Sequence, residues 1–103
     1  MRYGMVIDSR GCIDCRACVI ACKAENAVPA RHSRNWVEQH HEGEYPTLAV
    51  RLAPGQCMHC DNAPCVRVCP TGASYVDERG TVLVNPDDCI GCRYCMQACP
   101  YDA

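Results

Sequence analysis

Residues 57–70 read Cys57-Met-His-Cys60-Asp-Asn-Ala-Pro-Cys65-Val-Arg-Val-Cys69-Pro70, and residues 89–100 read Cys89-Ile-Gly-Cys92-Arg-Tyr-Cys95-Met-Gln-Ala-Cys99-Pro100. The first run spaces its cysteines x2, x4, x3 and the second x2, x2, x3, each closed by proline. Three soft thiolates thus sit on one tight loop. A fourth follows a turn into the next helix, where it points away from the first three. The proline behind it has a fixed φ and no N–H, so it ends that helix and leads the chain off. Cys12, Cys15, Cys18 and Cys22 form a third run with the x2, x2, x3 spacing, and residues 12–22 agree with residues 89–99 at seven of eleven positions. Outside cysteine the matches are Ile13 with Ile90, Arg16 with Arg93 and Ala21 with Ala98. A repeat of this kind points to duplication of a cysteine-bearing unit. Lys23 follows Cys22 where the other runs have proline, so a helix over residues 19–25 is free to run on.

The run at residues 89–100 resembles the bacterial ferredoxin signature for cubane iron–sulfur clusters, in which the fourth cysteine of each run ligates the other run's cluster. That resemblance implies crossed ligand sets. Cys57, Cys60, Cys65 and Cys99 would hold one [4Fe-4S] cluster, and Cys89, Cys92, Cys95 and Cys69 a second.

Composition agrees with a metal-built interior. The chain has 103 residues, the length of one small domain. Twelve residues are cysteine, none is phenylalanine, and the leucines are Leu48, Leu52 and Leu83. Domains this small are poorly supported by apolar burial, and the apoprotein is expected to be largely unfolded. A disulfide framework needs a secreted context. The start, Met-Arg-Tyr-Gly-Met-Val-Ile-Asp, has no signal-peptide hydrophobic run and no twin arginine. No apolar run approaches the ~18 residues of a membrane span. The formal net charge is −2, and each oxidised cluster with its four thiolates adds roughly two negative charges. With no basic stripe to offset them, nucleic acid is not an expected partner.

The rest of the chain reads as short elements. Tyr3, Met5 and Ile7 alternate, predicting a strand over residues 1–8. Residues 35–41 and 47–52 predict a hairpin joined through Glu42-Gly43-Glu44-Tyr45-Pro46. It either covers a cluster or contacts a partner, or it is a plain surface hairpin. Trp36 reads as a packing residue on it. Strands over residues 74–76 and 81–84 flank an Asp77-Glu78-Arg79-Gly80 turn. The expected fold is α+β, ferredoxin-like, pseudo-twofold and loop-rich. Within one domain, residues 1–26 carry the first cysteine block, 27–56 the hairpin insertion and 57–103 a two-cluster core.

Cys57-Met-His-Cys-Asp-Asn-Ala-Pro-Cys65, Cys69-Pro-Thr-Gly-Ala73, Cys89-Ile-Gly-Cys-Arg-Tyr-Cys95 and the closing Cys-Pro-Tyr-Asp102 resemble the iron–sulfur subunits of bacterial molybdopterin oxidoreductases, the polysulfide, thiosulfate and dimethyl sulfoxide reductase family. The similarity extends to Cys22-Lys-Ala-Glu-Asn26 and the hairpin. It implies four clusters wired between a molybdopterin catalytic subunit and a quinone-linked membrane anchor subunit. Membrane association would then run through partners, on the periplasmic or the cytoplasmic face. In the family the first block pairs crosswise with a fourth, which residues 1–103 do not contain. Cys12, Cys15 and Cys18 would hold a third cluster whose fourth ligand lies outside this chain, and Cys22 would serve a fourth. Three arrangements are open: a fourth block beyond residue 103, a block supplied by a second chain, or a first block closing one cluster through Cys22. The first is the expectation, because an isolated run of this spacing seldom encloses its own cluster.

Arg16, Arg67 and Arg93 lie between ligand cysteines. They either raise the potential of the nearest cluster, or face solvent or pair with Asp14, Asp61 and Asp88. His59, inside the Cys57 loop, reads as a hydrogen-bonding neighbour of a cluster or a partner contact rather than a ligand, since four cysteines per cluster are already on hand. There is no nucleophile–base pair, phosphate loop or nicotinamide fingerprint, hence no catalytic residue and no direct substrate. Two functions compete: an electron-transfer subunit of an oxidoreductase complex, not an enzyme by itself, and a free soluble ferredoxin. Structural zinc is a third reading, although zinc sites rarely use a Cys-x2-Cys-x2-Cys run.

Overall fold

A computed structural model describes all residues 1–103. The architecture is α+β and loop-rich, and its backbone contacts divide it into two units, Met5–Cys57 and Met1–Gly4 with Met58–Ala103.

In the unit Met5–Cys57, a 3-10 turn over Ser9–Gly11 leads into the first cysteine block. Asp8 caps that turn by accepting from the Arg10 N–H. Helix α1 follows over Ala17–Glu25. Its end is a Schellman arrangement: the Val28 N–H donates to the Lys23 carbonyl across Ala27, whose φ is 48°. Lys23 Nζ donates to the carbonyls of Pro29 and His32, fastening the following loop to the helix. Strands β1 (Asn35–Glu42) and β2 (Ala49–Gln56) then pair antiparallel from Asn35↔Gln56 to Glu42↔Ala49.

The second strand runs four residues past the sequence expectation, through Pro54 and Gly55. In a two-stranded ribbon each strand has a free edge, and proline is tolerated there. Gly55 has a steric reason to be glycine. It faces Trp36, and a Cβ at that position would stand 2.6 Å from the indole Nε1. The indole N–H donates to Glu38 Oε1, so Trp36 is the packing residue of the hairpin. Gly55→Ala is expected to displace the ring at an overpacking cost of about 1–3 kcal/mol. Trp36 is the single tryptophan, so its emission maximum should shift to longer wavelength. An unmoved maximum would contradict the packing.

The other unit holds α2 (Pro64–Arg67), β3 (Ser74–Val76), β4 (Val82–Val84) and α3 (Tyr94–Ala98). Strands β3 and β4 pair as expected, Ser74↔Val84 through Val76↔Val82. Asp77 organises their turn: its Oδ1 accepts from the N–H groups of Arg79 and Thr81. Gly80 supplies the positive φ of 82° that closes it. Helix α2 packs against both α3 and β3.

Two expectations fail. Residues 1–8 form no strand, because alternation alone provides no partner to pair with; Tyr3 and Met5 stay exposed. The fourth cysteines of the proline-closed blocks are not inside helices either. Cys69 lies beyond the end of α2 at Val68, and Cys99 is itself the C-cap of α3. Cys22 is inside α1, because Lys23 lets that helix continue.

Candidate metal centres

The first block shows how these loops are built. Cys12 closes the 3-10 turn by donating its N–H to the Ser9 carbonyl at 3.2 Å. The chain then takes positive φ twice, at Asp14 (56°) and Arg16 (56°), and Arg16 becomes the N-cap of α1. Cys18 enters the first turn of α1, and Cys22 lies one turn further on. Block three repeats this backbone. Gly91 (70°) and Arg93 (61°) carry the positive φ, Arg93 caps α3, and Cys95 sits in its first turn. Block two shares the first of the two bends, at His59 (45°). With four residues between Cys60 and Cys65 it has room to enter α2 through Pro64 without the second bend.

Alternation of left- and right-handed backbone brings successive peptide N–H groups onto one concave side, a nest that binds anions and is recurrent at iron–sulfur sites. Glycine takes such a φ freely; arginine pays roughly 1–2 kcal/mol for it. That the same bend recurs with Asp14, His59 and Gly91 shows that position in the cysteine loop, not residue type, dictates it.

Side chains hold the loops in place. Asp14 accepts from Arg16 Nε at 3.1 Å and from Gln39 Nε2 of β1 at 2.6 Å. The Gln39 bond, then Arg16, hold the Asp14 carboxyl below its ordinary pKa. Arg16 therefore pairs with Asp14. Asp61 pairs with Arg2, and Asp88 accepts from Asn85 Nδ2 at 2.6 Å. His59 Nδ1 accepts the Val82 N–H of β4 at 3.0 Å, which ties the Cys57 loop to that strand.

The fourth cysteine of each block accepts hydrogen bonds at its sulfur. Ser74 N–H donates to Cys69 Sγ at 3.5 Å, Ala103 N–H to Cys99 Sγ at 3.4 Å, and the Asn26 side-chain amide to Cys22 Sγ at 3.6 Å. Thr71 Oγ1 lies 3.7 Å from Cys69 Sγ. The Ser74 amide first, then the Thr71 hydroxyl, lower the Cys69 pKa from 9.0 to about 6. The Cys69 thiolate's contribution is thus fully present above the ordinary thiol range and is lost as pH falls through about 6. Thr71→Val removes one donor and raises that pKa.

No disulfide links any of the twelve cysteines. No three His, Cys, Asp or Glu side chains converge on one point as a mononuclear ion requires. A cubane makes a different demand: four thiolates, each on its own iron, around a larger anionic body. The donor set, the positive-φ bends and the N–H···S bonds fit that group. A cavity of about 270 Å³ is lined by Cys18 and Cys22 with Asn35, Trp36 and Met5. No local signal predicted that Gln39, 25 residues away, would fasten Asp14, or that the bends at His59, Arg16 and Arg93 would fall on non-glycine residues.

Cysteine loops of one design, their sulfurs addressed by N–H groups, define an iron–sulfur protein of the cubane type. A family profile described as 4Fe-4S dicluster domain matches residues 48–103, and a second of the same description matches residues 11–73. The chain belongs to the 4Fe-4S dicluster domain family and binds multiple [4Fe-4S] clusters. It is 50% identical over 105 residues to the arsenate respiratory reductase iron–sulfur subunit of Shewanella sp. strain ANA-3, covering 98% of this chain and 43% of that protein. It is 48% identical over 104 residues to one of the polysulfide reductase chains of Wolinella succinogenes, covering 99% and 54%. It is 48% identical over 105 residues to one of the tetrathionate reductase subunits of Salmonella typhimurium, covering 99% and 42%. The chain thus spans about half the length of these relatives. No helix is long and apolar enough to cross a membrane.

Proposed function

We propose that this chain is the electron-relay part of a reductase complex, passing single electrons between a molybdopterin catalytic subunit and a quinone-linked membrane anchor subunit. The observation that carries the reading is the bend shared by all three cysteine loops, at Asp14, His59 and Gly91. It equips each loop for the same anionic group. The three relatives, each named as part of a reductase, favour a fixed subunit over a free shuttle. The chain performs no substrate chemistry itself, and its membrane association runs through partners.

Cys57, Cys60, Cys65 and Cys99 would hold the first cluster, and Cys89, Cys92, Cys95 and Cys69 the second. The packing of α2, which carries Cys65, on α3, which carries Cys95, supports this exchange of fourth ligands. The two halves are then related by a pseudo-twofold exchange, with the β1–β2 hairpin as an insertion. Cys12, Cys15 and Cys18 would serve a third cluster completed from outside residues 1–103, and Cys22 a fourth. When bound, such clusters supply one-electron transfer with little rearrangement. The polypeptide fixes their positions and aims peptide N–H groups at sulfur, which sets their potentials.

Iron and sulfide analysis with EPR of the reduced, anaerobically purified protein tests the reading. At least about eight iron and eight sulfide per chain are expected for two cubes, together with co-purification of larger subunits. A monomer that carries clusters but never co-purifies would favour the shuttle, and a protein without iron would end both readings.

A further inference from the structure

The three fourth-position sulfurs receive their hydrogen bonds in two different ways. In Cys69-Pro-Thr-Gly-Ala73 and Cys99-Pro-Tyr-Asp-Ala103 the proline stops the helix and the chain turns over a left-handed residue, Gly72 (φ 71°) or Asp102 (φ 57°). A backbone N–H then falls on the sulfur, from Ser74 in one block and Ala103 in the other. Block one cannot do this. With Lys23 in place of proline, α1 continues and its backbone N–H groups are spent on helix carbonyls; Asn26 N–H, four residues after Cys22, donates to the Cys22 carbonyl at 3.1 Å. The donor that reaches the sulfur is a side chain. Asn26 Nδ2 lies 3.0 Å from the Cys22 carbonyl oxygen and 3.6 Å from Cys22 Sγ.

We propose that the Asn26 carboxamide is the positioning and tuning residue for the cluster that Cys22 ligates, standing in for the backbone N–H that the cysteine–proline blocks use. The inference rests on the reading of Cys22 as a cluster ligand. An N–H aimed at a ligand sulfur stabilises the extra negative charge of the reduced cluster and so raises its potential. Because this donor is a side chain, one substitution removes it, as Thr71→Val removes the side-chain donor at Cys69, whereas no substitution except proline removes the backbone donors Ser74 N–H and Ala103 N–H.

The test is an EPR-monitored redox titration of the cluster-loaded protein with Asn26→Leu and Asn26→Asp, which are near-isosteric and lack the amide donor. Leucine removes the bond; aspartate also adds negative charge. One cluster alone should become harder to reduce, with potentials ordered wild type, Asn26→Leu, Asn26→Asp from high to low. The expected change in its reduction equilibrium is about three- to tenfold, and tenfold is ~59 mV for one electron. Unchanged potentials, or a common shift of every cluster, would overturn the proposal. So would loss of that one cluster from both variants, since that is the signature of a merely structural helix cap. Wild-type protein without iron, or with no more than the two clusters of residues 57–99, would be a failure of the ligand reading instead, and iron analysis separates the two.

Discussion

Removing iron with a chelator under oxidising conditions is expected to unfold this chain, not to leave a folded apoprotein. The polypeptide buries only Ala63 and Ala73 among apolar residues, at 5% and 1% exposure, with Ser74 beside them, and no large side chain is fully buried. Ile13, Ile20, Val68, Ile90 and Met96 remain exposed. The regular structure amounts to short helices and two separate two-stranded ribbons, and an isolated ribbon is marginal in water. Where ligands converge only on metal, the free energy of binding is the free energy of folding. Near-UV circular dichroism and NMR dispersion should therefore collapse together with the visible absorbance, and return when ferrous iron and sulfide are restored anaerobically. An iron-free chain that keeps dispersed amide resonances would show that side-chain packing alone carries the fold.

The same scarcity of core explains what could be read from the sequence. Element types were legible wherever a local rule governs. Lys23 in place of proline announced a longer first helix, and Asp77 to Gly80 announced the β3–β4 turn. The cysteine runs named their own chemistry, because few other groups need that spacing. What stayed hidden depends on contacts between distant residues or on strain imposed by the loop. Tyr3, Met5 and Ile7 alternate as a strand does, yet a strand exists only with a partner. The second strand continues through Pro54 and Gly55 because Trp36 lies across it. The left-handed bend is legible at Gly91 but not at His59 or Arg93, where the cysteine loop forces a conformation the residue itself disfavours.

The second large effect concerns which cysteine serves which cluster. Under the proposed crossed assignment, Cys69→Ser is expected to damage the cluster assigned to Cys89, Cys92 and Cys95, and Cys99→Ser the one assigned to Cys57, Cys60 and Cys65. Serine is a harder and more basic ligand, so each variant should lose or convert one cluster and spare the other. The assignment can be read without knowing which EPR signal belongs to which site. Cys99→Ser should alter the same signal as Cys60→Ser, and Cys69→Ser the same signal as Cys92→Ser. Residues acting as one unit are non-additive, so Cys60→Ser combined with Cys99→Ser should cost little more than either alone. Cys60→Ser combined with Cys69→Ser should abolish both signals. If Cys69→Ser instead groups with Cys60→Ser, each block closes on its own cluster. The packing of α2 on α3 would then bring the two helices together for some reason other than shared metal.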